Sequence, residues 1–295
     1  MTPPAEAADR LEARDILLPA SRRLTDAGIE GAALDSRLLL AAAIGRDEAV
    51  LPHEMITGFD DEAAARFAGF IARRAAGEPV SRIRGWREFW SLRFDLSPAT
   101  LDPRADSETL VITALEEAAA IKDSPLRLLD LGCGSGALLL ACLSELPGAR
   151  GCGVDIDALA VATAAGNADR LGLGARASFL HGDFADAQLG GSGFHMVLCN
   201  PPYIPAAEIA ALAPEVAQFD PRCALDGGED GLDGWRAVLP RIAAGMAPDG
   251  RALVEIGAGQ EEDVAMLARD AGLAETRRVR DLGGIVRCLV LRRDH

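Results

Sequence analysis

The chain has 295 residues, enough for two average domains, and its 49% hydrophobic and 25% charged residues form an ordinary globular balance with material for a real core. A formal net charge of −15 argues against an extended phosphate-binding surface, because nucleic-acid binders carry a basic footprint. Six cysteines without a C-x-x-C pair and four scattered histidines offer neither a disulfide framework nor a metal constellation, so reduced thiols and no bound metal are expected.

In chain order, Met1 to Glu6 carries neither a basic n-region nor an apolar h-region, so no export signal is expected. No later stretch approaches the ~18 apolar residues that span a bilayer. A cytoplasmic protein without membrane partners follows as an expectation. Residues 1–78 read as helical throughout. Leu11, Ile16, Leu17 and Leu24 recur at helical spacing, as do Leu34, Leu38 and Ala41, then Phe67, Phe70 and Ile71. Asp60-Asp61-Glu62 suits the start of the last of these helices and Gly77 its end. This is a small helical domain with short connections.

Residues 79–103 differ. Val80, Ile83, Trp86, Phe89, Trp90, Leu92, Phe94 and Leu96 partly alternate, which predicts a β-hairpin linker over about 80–100. The stretch 66–104 holds eight arginines against four acids. Two readings stand there: arginine stems covering apolar surface, or a docking patch for an acidic or RNA-bearing partner.

From 104 to 295 strand and helix patterns alternate. Strands are expected at 127–131, 151–156, 177–181, 195–199 and 251–256, with two more near 275–279 and 285–292. Helices are expected at 137–146 and at 157–171, where Asp157 is the N-cap. Strands separated by helices of 10–15 residues imply βαβ units, hence an α/β fold with a mostly parallel sheet covered on both faces.

Two motifs fall at strand ends, where such sheets bind ligands. Asn200-Pro201-Pro202-Tyr203 follows the strand at 195–199. The Asn side chain offers an acceptor and two donors. The prolines stiffen the backbone and remove two N–H groups, leaving carbonyl acceptors. Tyr203 adds a flat face with a polar tip. The tetrad suits a planar group carrying an NH2, either an amide or an adenine amine, and in isolation also suits a plain proline-stiffened turn. The second motif, Asp130-Leu131-Gly132-Cys133-Gly134-Ser135-Gly136, sets three glycines between a strand and a helix. Its spacing is neither that of a dinucleotide loop nor that of a P-loop. Asp155 ends the next strand and can accept two hydrogen bonds from a ribose diol.

Asp130, the glycine loop and Asp155 together resemble the S-adenosylmethionine site of class I methyltransferases. That resemblance implies that Asp183 meets the adenine amine and that Phe184 covers the ring. More of the chain then becomes specific. Pro103-Arg104-Ala105-Asp106-Ser107-Glu108, Gly77-Glu78-Pro79-Val80 with Arg87-Glu88-Phe89-Trp90, Phe219-Asp220-Pro221-Arg222 with Ala224 to Leu232, Glu255-Ile256-Gly257 with Gln260, and Asp281-Leu282 with Arg287 resemble elements of the HemK/PrmC family. The similarity covers nearly the whole chain. It departs at Asp102, where an aliphatic residue is usual, at Ala105, where proline is usual, and at Phe184, often Trp.

The resemblance implies a Rossmann-like methyltransferase domain at 104–295 and a substrate-recognising helical domain at 1–78. Its implied activity is methyl transfer from S-adenosylmethionine to the side-chain nitrogen (N5) of the Gly-Gly-Gln glutamine in class 1 peptide chain release factors. It marks Asn200, Pro201, Pro202 and Tyr203 as catalytic and substrate-binding, with Arg104 a further substrate-binding candidate. The cofactor set is Asp130, Gly132, Cys133, Gly134, Ser135, Gly136, Asp155, Asp183, Phe184 and Asn200. Two neighbouring activities share the tetrad: glutamine methylation of a ribosomal protein, and methylation of a nucleic-acid exocyclic amine such as adenine N6. The acidic charge weighs against the second. A monomer without direct nucleic-acid contacts is expected.

Overall fold

A computed structural model describes residues 11–121, 125–184 and 192–294. The chain divides into two compact units, one formed by Met1–Gly85 with Pro214–Phe219, the other by Trp86–Ala213 with Asp220–His295.

Among the described residues the first unit is helical apart from a two-residue strand pair, β1 (Leu11–Glu12) with β2 (Met55–Ile56), which the helical periodicity does not predict; the helix expected over residues 1–10 lies outside the described residues. Its helices are α1 (Ala13–Asp26), α2 (Ala32–Ala43), α3 (Asp61–Ala75) and α4 (Val80–Arg84). Asp60 caps α3 as expected, its side chain accepting the Ala63 N–H at 2.8 Å. Leu17, Leu24, Leu39, Leu40, Phe67 and Ile71 face inward to form the core. Val80 to Arg84, expected to open the hairpin, is instead helical and ends at Gly85, whose φ of 77° provides the left-handed stop.

Arg74 is buried in this unit. Its Nε donates to Asp35 Oδ2 at 2.7 Å, and its terminal NH1 meets Glu215 Oε1 at 2.6 Å. Through that pair the short helix α8 (Pro214–Ala217), far along the chain, becomes part of the helical unit. Removing one partner of a buried pair strands the others. Arg74→Ala should therefore cost this unit on the order of 3 kcal/mol. All three tryptophans (86, 90 and 235) lie in the second unit. Urea unfolding followed by far-UV circular dichroism should shift, while the tryptophan-fluorescence transition holds. Coincident, unshifted curves would count against the role of Arg74.

The second unit begins with the hairpin β3 (Trp86–Phe89) and β4 (Leu92–Asp95). Its two-residue turn, Trp90-Ser91, has positive φ at both positions, 54° each. That is the hairpin-favoured geometry but unusual for residues with side chains. Trp90 is tied at both ends, its backbone N–H donating to Glu108 and its indole N–H to Glu145, each at 2.9 Å.

The main sheet combines β5 (Arg127–Leu131), β6 (Arg150–Asp155), β7 (Ala177–His181), β8 (Phe194–Cys199), β9 (Met246–Glu255), β10 (Leu273–Arg280) and β11 (Val286–Arg293). The spatial order is β10-β11-β9-β8-β5-β6-β7. The five strands from β9 to β7 run parallel, and β11 and β10 are antiparallel to their neighbours. Helices α5 (Glu108–Ala120), α6 (Ala137–Glu145), α7 (Ala158–Arg170), α9 (Asp233–Gly245) and α10 (Glu261–Asp270) supply the crossovers and flanks. Two cores result. Leu128, Leu139, Leu140, Met196 and Leu198 lie in one, and Leu129, Val197, Trp235, Val254 and Leu289 in the other. Consecutive residues of β5 and β8 thus face opposite cores, which is why these strands read as unbroken apolar runs. The strand order turns back at β5: β6 lies on one side and β8 on the other. Ligand crevices form at such switch points.

The arginine-rich stretch resolves toward internal pairing. Arg66 meets Glu62 at 2.7 Å, Arg73 meets Glu78, and Arg74 meets Asp35 within the first unit. In the second, Arg87 lies 3.8 Å from Asp102, Arg93 lies 3.6 Å from Asp95, and Arg104 bonds Asp220. Much of its charge is thereby spent inside each unit. The buried Asp102, a departure from the family pattern, has a partner in Arg87.

Candidate active site

One pocket occupies the switch point. It is an open pocket, continuous with solvent. Gly132 to Ser135 line it from the end of β5, Asp155 and Ile156 from β6, Phe184 from beyond β7, and Asn200 to Pro202 from beyond β8. Arg104, Ser107 and Phe89 close it from the hairpin and the segment before α5. Residues predicted from separate motifs therefore converge.

The glycine loop is bent by positive φ at Gly132 (77°), Gly134 (53°) and Gly136 (79°). At Gly136 space matters as well, since a Cβ would sit 3.2 Å from Ala164 Cβ and 3.3 Å from the Phe179 ring. Asp155 holds the loop directly: Oδ2 accepts the Gly134 N–H at 2.8 Å, and Oδ1 accepts the Asp157 N–H at 3.0 Å. Burial raises its pKa, against the pull of those two donors. Asp157 then caps α7, accepting from Leu159 at 2.7 Å.

Asp130 does not line the pocket. It lies beneath the loop, 1% exposed, with no hydrogen-bond partner of ordinary geometry on either carboxylate oxygen. Burial pushes its pKa up to about 7, opposed by the Leu139 N–H near the start of α6 and reinforced by the charge of Asp155. Gly136 lies in the loop but outside the lining, and Asp183 is exposed and also outside it.

In the tetrad, Asn200, Pro201 and Pro202 face the pocket, whereas Tyr203 turns inward. Its hydroxyl reaches Glu255 Oε1 at 3.4 Å, and burial, with the nearby Glu255 charge, raises the phenol above its ordinary range. Its ring lies 3.1 Å from the position of a Cβ on Gly257, so that glycine leaves it room. Gln260 fixes the turn from behind, donating to the Tyr203 carbonyl at 3.0 Å and to the Gly231 carbonyl at 3.3 Å while accepting the Gly257 N–H at 3.0 Å. Arg104 lines the pocket, but its guanidinium bonds Asp220, whose other oxygen accepts the Asp102 N–H at 3.3 Å. The segments 103–108 and 219–222, matched separately in sequence, are thus bonded to each other.

Asn167 escaped the sequence reading. It is fully buried on α7, donates to the Ser135 carbonyl at 2.8 Å and the Asp95 carbonyl at 3.1 Å, and accepts the Asp95 N–H at 2.9 Å. One amide thus joins the glycine loop to β4. An Asn amid alanines in a helix was the available signal, because a buried amide must find partners.

Residues 128–219 match a family described as a methyltransferase domain. With the seven-stranded sheet, this makes the second unit a class I S-adenosylmethionine-dependent methyltransferase fold. Residues 15–85 match the PrmC N-terminal domain. Among curated relatives, the release factor glutamine methyltransferase of Bradyrhizobium diazoefficiens is 46% identical over 92% of this chain and 91% of its own. The proteins of the same description from Rhodospirillum rubrum (48% identical; 92% of this chain, 82% of that one) and Geobacter sulfurreducens (38%; 90% of each) align over similar lengths. The chain belongs to the release factor glutamine methyltransferase family.

Proposed function

We propose that this protein transfers a methyl group from S-adenosylmethionine to the side-chain amide nitrogen (N5) of the Gly-Gly-Gln glutamine in class 1 peptide chain release factors, acting as a cytoplasmic monomer. The observation that carries this reading is the rigid Asn200-Pro201-Pro202 turn, which opens onto the same pocket as the glycine loop and Asp155. The release factor glutamine methyltransferases to which the chain is similar agree with it. Among the described residues no helix is long and apolar enough to cross a membrane, and no group of three or more His, Cys, Asp or Glu is arranged to hold a metal.

The pocket residues suit the cofactor. Backbone at Gly132 and Gly134 is bare, with nothing within 4 Å of where a Cβ would stand, so a ligand can approach the main chain. Asp155 has lone pairs to spare beyond its two backbone bonds and suits a ribose diol. Ile156, Leu138 and Phe184 offer apolar surface to a flat base. Bound there, S-adenosylmethionine supplies an electrophilic methyl group on a sulfonium.

The protein's own task is then placement. An amide nitrogen is a poor nucleophile because its lone pair is delocalised into the carbonyl. Asn200 Oδ1 and the Pro201 carbonyl each accept one amide N–H, aim the nitrogen at the methyl and stabilise the positive charge that grows on it. Tyr203, turned inward onto Glu255, braces the turn from behind. None of the pocket-lining residues is a histidine, and no general base is required if the proton leaves after transfer. A radiolabelled-methyl assay tests the reading against release factor, the same factor with its Gly-Gly-Gln glutamine changed to Ala, ribosomal protein and bulk nucleic acid. Label is expected on the wild-type factor alone. Label on nucleic acid or ribosomal protein instead would replace this reading with one of its neighbours.

A further inference from the structure

Glu255 ends β9 directly behind the tetrad and is 3% exposed. Such a residue is almost never fully buried without partners. Three donors turn toward it: the Tyr203 hydroxyl at 3.4 Å, the Ser107 hydroxyl and the Asn200 amide, with the Arg287 charge alongside. The Tyr203 contact is long for an O–H···O bond, and Oε2 is buried with no partner of its own. A buried acceptor beside an NH2 group is a bond waiting to close, and contacts of this kind often tighten only when substrate binds.

We propose that Glu255 is the positioning residue of the tetrad, its acceptor-only carboxylate holding the Asn200 NH2 inward so that Oδ1 is the atom shown to the substrate nitrogen. An Asn side chain is nearly symmetrical in shape, and its two ends differ only in hydrogen bonding. Turned the other way it would present donors to the donors of the incoming amide, and the acceptor site would be lost. An ionised carboxylate permits one orientation, because it can accept from Nδ2 but has nothing to donate to Oδ1.

Burial, the largest influence, raises the Glu255 pKa, and Ser107 from the turn before α5, Arg287 from β11, Tyr203 and Asn200 partly oppose that rise. Arg287 is itself held by Asp281 at 3.0 Å and lies 3.5 Å from Asp106. The other titratable neighbours, Tyr203, Cys199 and Cys288, are all raised, chiefly by burial, so the phenol and both thiols stay neutral beside it.

This inference rests on the amide-methylating reading, and the experiment separates the two. Label transfer from the wild-type enzyme to release factor tests that reading first. Glu255→Gln, which keeps the shape but offers both donor and acceptor, is then compared in single turnover. The rate of methyl transfer is expected to fall about tenfold, the difference between a charge-assisted and a neutral hydrogen bond. Cofactor Kd and the KM for release factor should hold. The decisive measurement is a double-mutant cycle: in the Asn200→Ala background Glu255→Gln should cost nothing further, because its effect runs through Asn200. An undiminished rate in Glu255→Gln overturns the proposal, as does a loss that is additive with Asn200→Ala. If the Gln variant does not fold, Glu255→Asp, which stays acceptor-only, is taken through the same cycle and must show the same coupling to Asn200.

Discussion

Replacing Asn200 with Ala is expected to cut the single-turnover rate of methyl transfer by about 10²–10³-fold, with cofactor affinity nearly unchanged. The size follows from what one well-aimed polar group is worth in a water-poor site, roughly 2.7–4 kcal/mol when it meets charge that develops only in the transition state. In the proposed mechanism Asn200 meets that condition. It lines the pocket on a turn stiffened by two prolines, and Gln260 bonds the Tyr203 carbonyl from behind. Loss of Oδ1 leaves the Pro201 carbonyl as the remaining acceptor on the turn, so the amide can still enter but is held at one point. Most of the cofactor side of the pocket is built by other residues, Gly132 to Ser135, Asp155 and Phe184 among them, and Kd should hardly move. Single-turnover kinetics and calorimetry on the same variant check this. Equal losses in rate and affinity would show that Asn200 serves the pocket's shape and not the reaction.

Asp155→Ala is expected to do the opposite, raising the cofactor Kd by about 10²-fold or more while leaving release factor binding intact. The carboxylate accepts the Gly134 and Asp157 N–H groups and lines the pocket between them. Its removal therefore strikes twice. The diol loses an ionised acceptor, and the glycine loop loses the bond that sets its approach. Hydrogen bonds to charged groups contribute about 1.5–3 kcal/mol each, which sets the scale. Asp155→Asn should fall between, because its amide keeps one acceptor but sets a donor against one of two backbone donors. Calorimetry with S-adenosylmethionine measures both variants, and an unchanged Kd in Asp155→Ala would remove Asp155 from the cofactor site.

These expectations draw on residues of different legibility. The glycine loop, Asp155 and Asn200-Pro201-Pro202 could be read from the chain because each is a local motif at a strand end, where the alternation of elements already places ligands. Phe184 and Arg104 came from family resemblance and do line the pocket. Asp183, from the same source, is exposed and lies outside its lining. The hairpin was legible in kind but not in extent. Its apolar alternation runs from Val80, yet Val80 to Arg84 is helical, since five residues with two inward-facing positions fit either period.

What the amino-acid sequence determined by itself was periodicity and punctuation: a helical first unit, a parallel sheet, a bare glycine loop and a proline-stiffened acceptor turn. Those features are encoded within a few neighbouring residues. Tertiary structure alone decided which polar residues brace them. Asn167 bonds Asp95 across 72 positions, Arg104 bonds Asp220 across 116, and Tyr203 meets Glu255 across 52. Glu255 reads in the chain as the end of a strand, and Asn167 as a weak point in a helix. Burial changes their meaning, because a polar group removed from water must find a partner, and that partner is fixed by how the strands stack and not by what lies beside it in sequence.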